Sequence, residues 1–220
     1  QYELALKGHE DLSELDDGES YIGFPVDAGL ATIVDKVTVD AYKEFDRQWY
    51  ENNPDGNIYD DYFDELFRVS KNQIIWGVNY FNYSFGPGRI VWDKVNTHSS
   101  FSDCELAYSS LHDSTRLFRY MWNGMMQGKS ISEGHIQQGN KALNEVRIHP
   151  TQKPINLYFW LLQNYAKEGD KILDTHVGSA SSLIACQELG FEYVGCELDK
   201  DIFNLAKQRL NDYEKQIKLL

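Results

Sequence analysis

Residues 171–210 read KILDTHVGSASSLIACQELGFEYVGCELDKDIFNLAKQRL, and this stretch decides the fold class. Lys171 to Asp174 is a short apolar run closed by an acid, which reads as a buried strand. Ser179 to Leu189 has the length and composition of a helix, with Gly190 placed to stop it. Glu192 to Glu197 reads as the next strand. Asp199 can cap a final helix that carries Ile202, Leu205, Ala206 and Leu210 on one face. Strand, helix, strand and helix at this spacing form a parallel βαβα unit. The fold class expected is therefore α/β, with an open, mostly parallel sheet and helices on both faces.

Working outward, Pro154 suits the first turn of a helix. Ile155 to Ala166 is almost wholly apolar, which predicts a buried helix, and Gly169 suits its end. Nearer the start, Leu30 to Val34 reads as a strand ending at Asp35. The spacing of Tyr59, Tyr62, Phe63, Leu66 and Phe67 predicts an amphipathic helix over Asp60 to Ser70. Gln73 to Trp76 and Arg89 to Asp93 read as strands, with an aromatic loop from Asn79 to Gly88 between them. Cys104 to Tyr108 and Leu117 to Trp122 are expected to be a strand pair. Gly124 to Arg147 is polar and poor in apolar residues, so a long loop or mobile insert is expected there. The 220 residues suffice for one α/β domain spanning 1–220.

Composition narrows the function classes. A hydrophobic fraction of 42% is ample for a core and argues against disorder. No apolar run is long enough to span a bilayer, and residues 1–17 are polar and acidic, unlike a signal peptide. Three cysteines without a C-x-x-C pattern fit a reduced, cytoplasmic protein. The six histidines are scattered, so no metal site is expected. The net charge of −13 counts against nucleic acid as a partner, because phosphate contacts need Lys and Arg. It describes an average field, however, and leaves room for a basic groove on one face.

In open α/β sheets, ligands sit beyond the carboxyl ends of the strands. Asp174 and Glu197 close consecutive strands, and Gly178 between them permits close backbone approach. The segment is not G-x-G-x-x-G, so a dinucleotide is poorly supported. A strand-end carboxylate can accept two hydrogen bonds from a vicinal diol, which makes Glu197 a ribose candidate. Both acids could equally be loop caps.

Asp174-Thr175-His176-Val177-Gly178-Ser179-Ala180-Ser181 resembles the cofactor loop of DNA amino-methyltransferases. His149-Pro150-Thr151-Gln152-Lys153-Pro154 resembles the short segment that precedes that loop in the same family. Their order, ahead of the strand-end Glu197, resembles the circularly permuted (beta) class, and the likeness runs over about residues 30–213. The resemblance implies a Rossmann-like class I methyltransferase fold that uses S-adenosylmethionine and acts on double-stranded DNA, in restriction–modification. It implies that Thr151, Gln152 and Lys153 line the methionine end of the cofactor. Asp174, Thr175, His176, Gly178 and Ser179 would approach methionine and ribose, and Glu197 the ribose hydroxyls. Gly8-His9-Glu10-Asp11 would correspond to an acidic turn near adenine, and the class admits a homodimer.

An aromatic amine is a poor nucleophile because its lone pair is delocalised into the ring. The family answers with Asp-Pro-Pro-Tyr at a strand end, where the Asp accepts an amino N–H and the Tyr stacks on the flipped base. Here Asp35 matches the Asp, but Lys36-Val37-Thr38 follows it. The departure means either a degenerate turn or a segment omitted between Asp35 and Lys36, and the otherwise intact order favours the omission. The resemblance leans to adenine N6 over cytosine N4. The degenerate turn would instead leave a catalytically inactive binding protein. Gly124 to Arg147, with Lys129, His135, Gln137, Gln138, Asn140, Lys141, Asn144 and Arg147, is the candidate target-recognition insert. Tyr80, Phe81, Tyr83, Phe85 and Asn79 are candidates for the base pocket.

Overall fold

The computed structural model describes residues 4–7, 30–34, 58–96, 102–123 and 125–217. Asp35, the Gly8–Asp11 turn and Gly124 lie outside the described residues. The strands are β1 (Leu4–Lys7), β2 (Leu30–Val34), β3 (Asn72–Trp76), β4 (Arg89–Asp93), β5 (Cys104–Ser109), β6 (Thr115–Arg119), β7 (Trp122–Asn123), β8 (Met126–Gln127), β9 (Lys171–Asp174) and β10 (Glu192–Glu197). The helices are α1 (Ile58–Val69), α2 (Ile155–Tyr165), α3 (Ser181–Leu189) and α4 (Lys200–Ile217).

Among the described residues, eight strands form one sheet in the order β1-β10-β9-β2-β3-β5-β4-β6. The α/β class stands, and the sheet is mixed rather than plainly parallel, with four parallel and three antiparallel ladders. β10, β9, β2 and β3 run parallel, as do β4 and β6. β1 runs antiparallel to β10, and β5 runs antiparallel to both β3 and β4. The reason is local. Residues 94–103, which join β4 to β5, are fewer than the dozen or more that a parallel crossover needs, so these two neighbours pair antiparallel. The two strands expected to pair, β5 and β6, do not touch as a ladder, because β4 inserts between them.

β3 shows how the layers are built. Side chains alternate faces along a strand. Ile74 and Trp76 enter the core formed with Leu157 and Leu161 of α2, Leu183 and Ile184 of α3, and Phe203 of α4. Ile75, between them, enters a second core with Phe63 and Leu66 of α1. Helices therefore cover both faces, as expected. On α4 the buried stripe is Phe203, Ala206 and Leu210, whereas Leu205 is 50% exposed. The expected face is thus rotated. α3 starts at Ser181 rather than Ser179, because Ala180 is left-handed at φ 61°.

The region after β6 is more structured than a bare loop. β7 and β8 form a short hairpin, and Gly128 bridges to Gln137. Tyr120 donates from its hydroxyl to the Gly128 carbonyl at 2.8 Å. A side chain on Gly134 would collide with the Arg119 carbonyl, so close packing fixes that residue as glycine. Gln127 is buried and exchanges two hydrogen bonds with the Glu145 backbone, which closes the insert on itself.

Candidate cofactor-binding site

β9 and β10 are adjacent and parallel, so Asp174 and Glu197 stand on one edge of the sheet. β2 lies beside β9 and runs parallel to it, so its carboxyl end at Val34 reaches the same edge. The loop from Thr175 to Ala180 spans this edge. Asp174 is buried, and it organises the loop: Oδ1 accepts from the His176 amide at 3.0 Å, and Oδ2 accepts from the Ser182 hydroxyl. Glu197 is half-buried. Its Oε2 accepts from the Gly178 amide at 2.8 Å, and its Oε1 from the Asp199 amide at 3.0 Å. Each carboxylate oxygen has a second lone pair, so Glu197 can still accept from hydroxyls of a ligand. It is both a loop cap and a candidate acceptor.

Gly178 has φ +53°, and a Cβ built on it would meet no protein atom within 4 Å. The loop backbone at this residue therefore faces open space. Thr175 Oγ1 lies 3.1 Å from the Tyr62 hydroxyl and 2.9 Å from His176 Nδ1. Burial pushes the His176 imidazole down to about 3, so it is neutral at pH 7. Ser179 is buried, with its hydroxyl 3.1 Å from that of Ser181.

The three candidates of the His149–Pro154 segment differ in their surroundings. Thr151 is exposed, with its amide and hydroxyl 3.3 and 3.2 Å from His149 Nδ1. Gln152 is buried and braces its own segment: Oε1 accepts from the Ile148 amide at 2.9 Å, and Nε2 donates to the Val146 carbonyl at 3.2 Å. Lys153 is only 2% exposed, and its Nζ lies 3.2 Å from Glu105 Oε2. Burial opposes ionisation of Glu105, yet the Lys153 and Lys94 ammonium groups hold its carboxyl down at about 2. Gln152 thus braces its own stretch of chain, and Lys153 ties it to β5.

Phe81, Tyr83 and Phe85 are partly buried and cluster around Phe63, with ring centroids at 5.1, 4.6 and 5.0 Å. Tyr80 and Asn79 are exposed. A groove lined by Glu168, Asp170, Phe191 and Glu192 lies at the amino ends of β9 and β10, the opposite edge. Among the described residues no cluster of His, Cys, Asp and Glu could hold a metal ion, and no helix is long and apolar enough to cross a membrane.

Three residues at the site escaped the sequence reading. Tyr62 reaches Thr175 from α1. Arg209 of α4 reaches Ser179, and Glu145 reaches Arg209. Burial pushes the Glu145 carboxyl up to about 7, against the opposing pull of Arg209. A signal for Arg209 was present: it sits beside the buried stripe Phe203, Ala206, Leu210, where a charge requires a partner.

The chain is continuous through Asp35 and Lys36, so no omitted segment separates them. Residues 1–80 match a family described as "Protein of unknown function (DUF4241)". Type II methyltransferase M.HpaI of Haemophilus parainfluenzae is 24% identical over 200 residues, covering 82% of this chain and 63% of that protein. Type II methyltransferase M.HindIII of Haemophilus influenzae is 36% identical over 99 residues, covering 40% of this chain and 31% of that protein. This chain thus spans less than two thirds of the length of either relative. Among solved structures, an M1.HpyAVI–SAM complex is 16% identical with a TM-score of 0.49, covering 83% of this chain and 88% of that one.

Proposed function

We propose that this chain, which is related in sequence to type II DNA methyltransferases, binds S-adenosylmethionine at the carboxyl ends of β9 and β10 and transfers its methyl group to an exocyclic amine in double-stranded DNA. The observation that carries the reading is the pair of neighbouring strand-end carboxylates joined by a loop with one backbone position open to solvent. The residues fit the cofactor. Glu197 keeps acceptor capacity for a ribose diol, and Gly178 presents backbone without a side chain. Asp174 acts indirectly, by fixing the loop through His176 and Ser182. Thr175 and neutral His176 offer short polar contacts beside it. Thr151 is the residue of its segment free to face a ligand. Gln152 and Lys153 support the site from behind.

Bound S-adenosylmethionine would supply an electrophilic methyl group on sulfur. The chain's part is to hold the target amine in line and to accept an amino N–H, which favours a localised lone pair. Asp35, next after β2, takes the acceptor role in this reading. Adenine N6 is the proposed target and cytosine N4 the alternative. The segment at 124–147 reads the DNA.

A second reading is supported by the direct Asp35–Lys36 linkage and by the match of residues 1–80 to another family. In it the chain binds the cofactor but transfers nothing. The test is incubation of the full chain with tritiated S-adenosylmethionine and duplex DNA, followed by nucleoside chromatography. Label in N6-methyladenine that Asp35→Ala abolishes supports the first reading. Label in N4-methylcytosine moves the target. Cofactor binding without labelled DNA selects the second reading.

A further inference from the structure

α3 begins without a side-chain cap, and the residue ahead of it, Ala180, is left-handed at φ 61°. An L-residue with a Cβ is disfavoured in that region, so something must hold the turn in place. The Ala180 amide donates to the Val177 carbonyl at 3.0 Å, which covers one side of the turn. The other side is held from a distant part of the chain. Arg209 Nη1 donates to the Ser179 carbonyl at 2.6 Å and to the Ser181 hydroxyl at 2.9 Å. Its Nη2 donates to Glu145 Oε2 at 2.9 Å. Glu145 Oε1 in turn accepts from the Ile155 amide at 2.9 Å, at the open end of α2. Both side chains are largely buried, at 13% and 16% exposure.

One guanidinium therefore joins α4, the loop after β9, the start of α3 and, through one carboxylate, the start of α2. A planar fork with several fixed donors can do this, whereas a lysine ammonium on a flexible stem cannot reach all the acceptors at once. Ser179 is the residue immediately after Gly178, the open backbone position. Fixing the Ser179 carbonyl fixes the peptide plane that leads into Ala180, and so the shape of the loop at Gly178.

We propose that Arg209, held by Glu145, is a positioning residue that fixes the Gly178–Ser181 turn and thereby sets the affinity of the loop for S-adenosylmethionine. The proposal rests on the cofactor reading above. Neither residue touches the ligand in it. Both act through the loop and the helix starts that they hold.

The experiment pairs two readouts on the full chain: hydrogen–deuterium exchange and calorimetric titration with S-adenosylmethionine. They are applied to the parent, Arg209→Gln and Arg209→Lys. Arg209→Gln is expected to speed exchange at least tenfold in peptides spanning 177–184, with peptides of β4 and β5 unchanged, and to weaken the cofactor at least tenfold. Arg209→Lys, which keeps the charge beside Glu145, is expected to restore part of both effects and guards against a variant that merely misfolds. Faster exchange throughout the chain in both variants would overturn the proposal, since it would show a general structural role. Faster loop exchange with parental affinity would overturn it too. A parent that binds no cofactor would sink the cofactor reading itself. The proposal's own failure is distinguishable, because it appears only when the parent binds.

Discussion

Gly195, in the middle of β10, sets how closely the loop and α3 sit on the sheet. A Cβ added there would lie 2.5 Å from Val177 Cγ2 and 2.7 Å from Leu183 Cδ1. Carbon atoms pack at about 3.5–4.0 Å, so Gly195→Ala creates two overlaps of about 1 Å. Neither neighbour can step aside freely. Val177 is 5% exposed with a stiff β-branched side chain, and Leu183 is fully buried. Overpacking of this kind costs about 1–3 kcal/mol. At this chain length that corresponds to a fall of about 2–12 °C in Tm. The assay is urea unfolding of the parent, Gly195→Ala, Val177→Ala and the double variant. Val177→Ala removes the nearer methyl group, so the double variant should recover about 1 kcal/mol relative to the sum of the singles. Additive effects, or a Gly195→Ala variant as stable as the parent, would refute the argument that this glycine is required by close approach.

Asp174→Ala removes a buried acceptor from the His176 amide and the Ser182 hydroxyl. It should destabilise the protein by about 2–3 kcal/mol in urea unfolding, because hydrogen bonds to a charged group are worth more than neutral ones. The Glu105 carboxyl is held at about 2 in the folded chain against an ordinary 4.5. A depressed carboxyl stabilises above its unfolded value, and that stability is lost as pH falls from about 4.5 towards 2. The loss should be about 3 kcal/mol, and Glu105→Gln should flatten this limb of the unfolding profile. Glu145 works in the opposite sense. Its folded value is raised to about 7, so it lowers stability as pH rises from about 4.5 to 7, and Glu145→Gln should remove that slope.

The last third of the chain was the most legible part of the fold. Its strand–helix–strand–helix pattern uses local signals: apolar runs closed by Asp174 and Glu197, the stop at Gly190, and the helix start after Pro154. The mixed sheet was not legible, because strand direction depends on which neighbour a strand finds, as when β4 inserts between β5 and β6. At the candidate site, the loop residues can be read together because they are contiguous in sequence. Arg209 and Glu145 were missed because they are 64 residues apart and meet only through the fold. The resemblance puts Lys153 at the methionine end of the cofactor, whereas its buried pairing with Glu105 depends on where β5 passes. The insert looked mobile from its polar composition. Its order comes from close backbone packing at Gly134 and from the Gln127–Glu145 hydrogen bonds, neither of which polarity reports.

The edge formed by β9 and β10 is proposed to bind S-adenosylmethionine through Glu197. Calorimetric titration of the full chain and of Glu197→Gln tests it most directly. Glu197→Gln keeps one acceptor oxygen for the loop amides but loses the carboxylate, and each charged hydrogen bond to a hydroxyl is worth about 1.5–3 kcal/mol. Saturable binding by the parent and affinity at least tenfold weaker in the variant are expected, with a variant that still unfolds cooperatively but at a lower Tm, because one of the two amides loses its acceptor. A parent that shows no binding, or a folded variant that binds as tightly as the parent, would contradict this proposal.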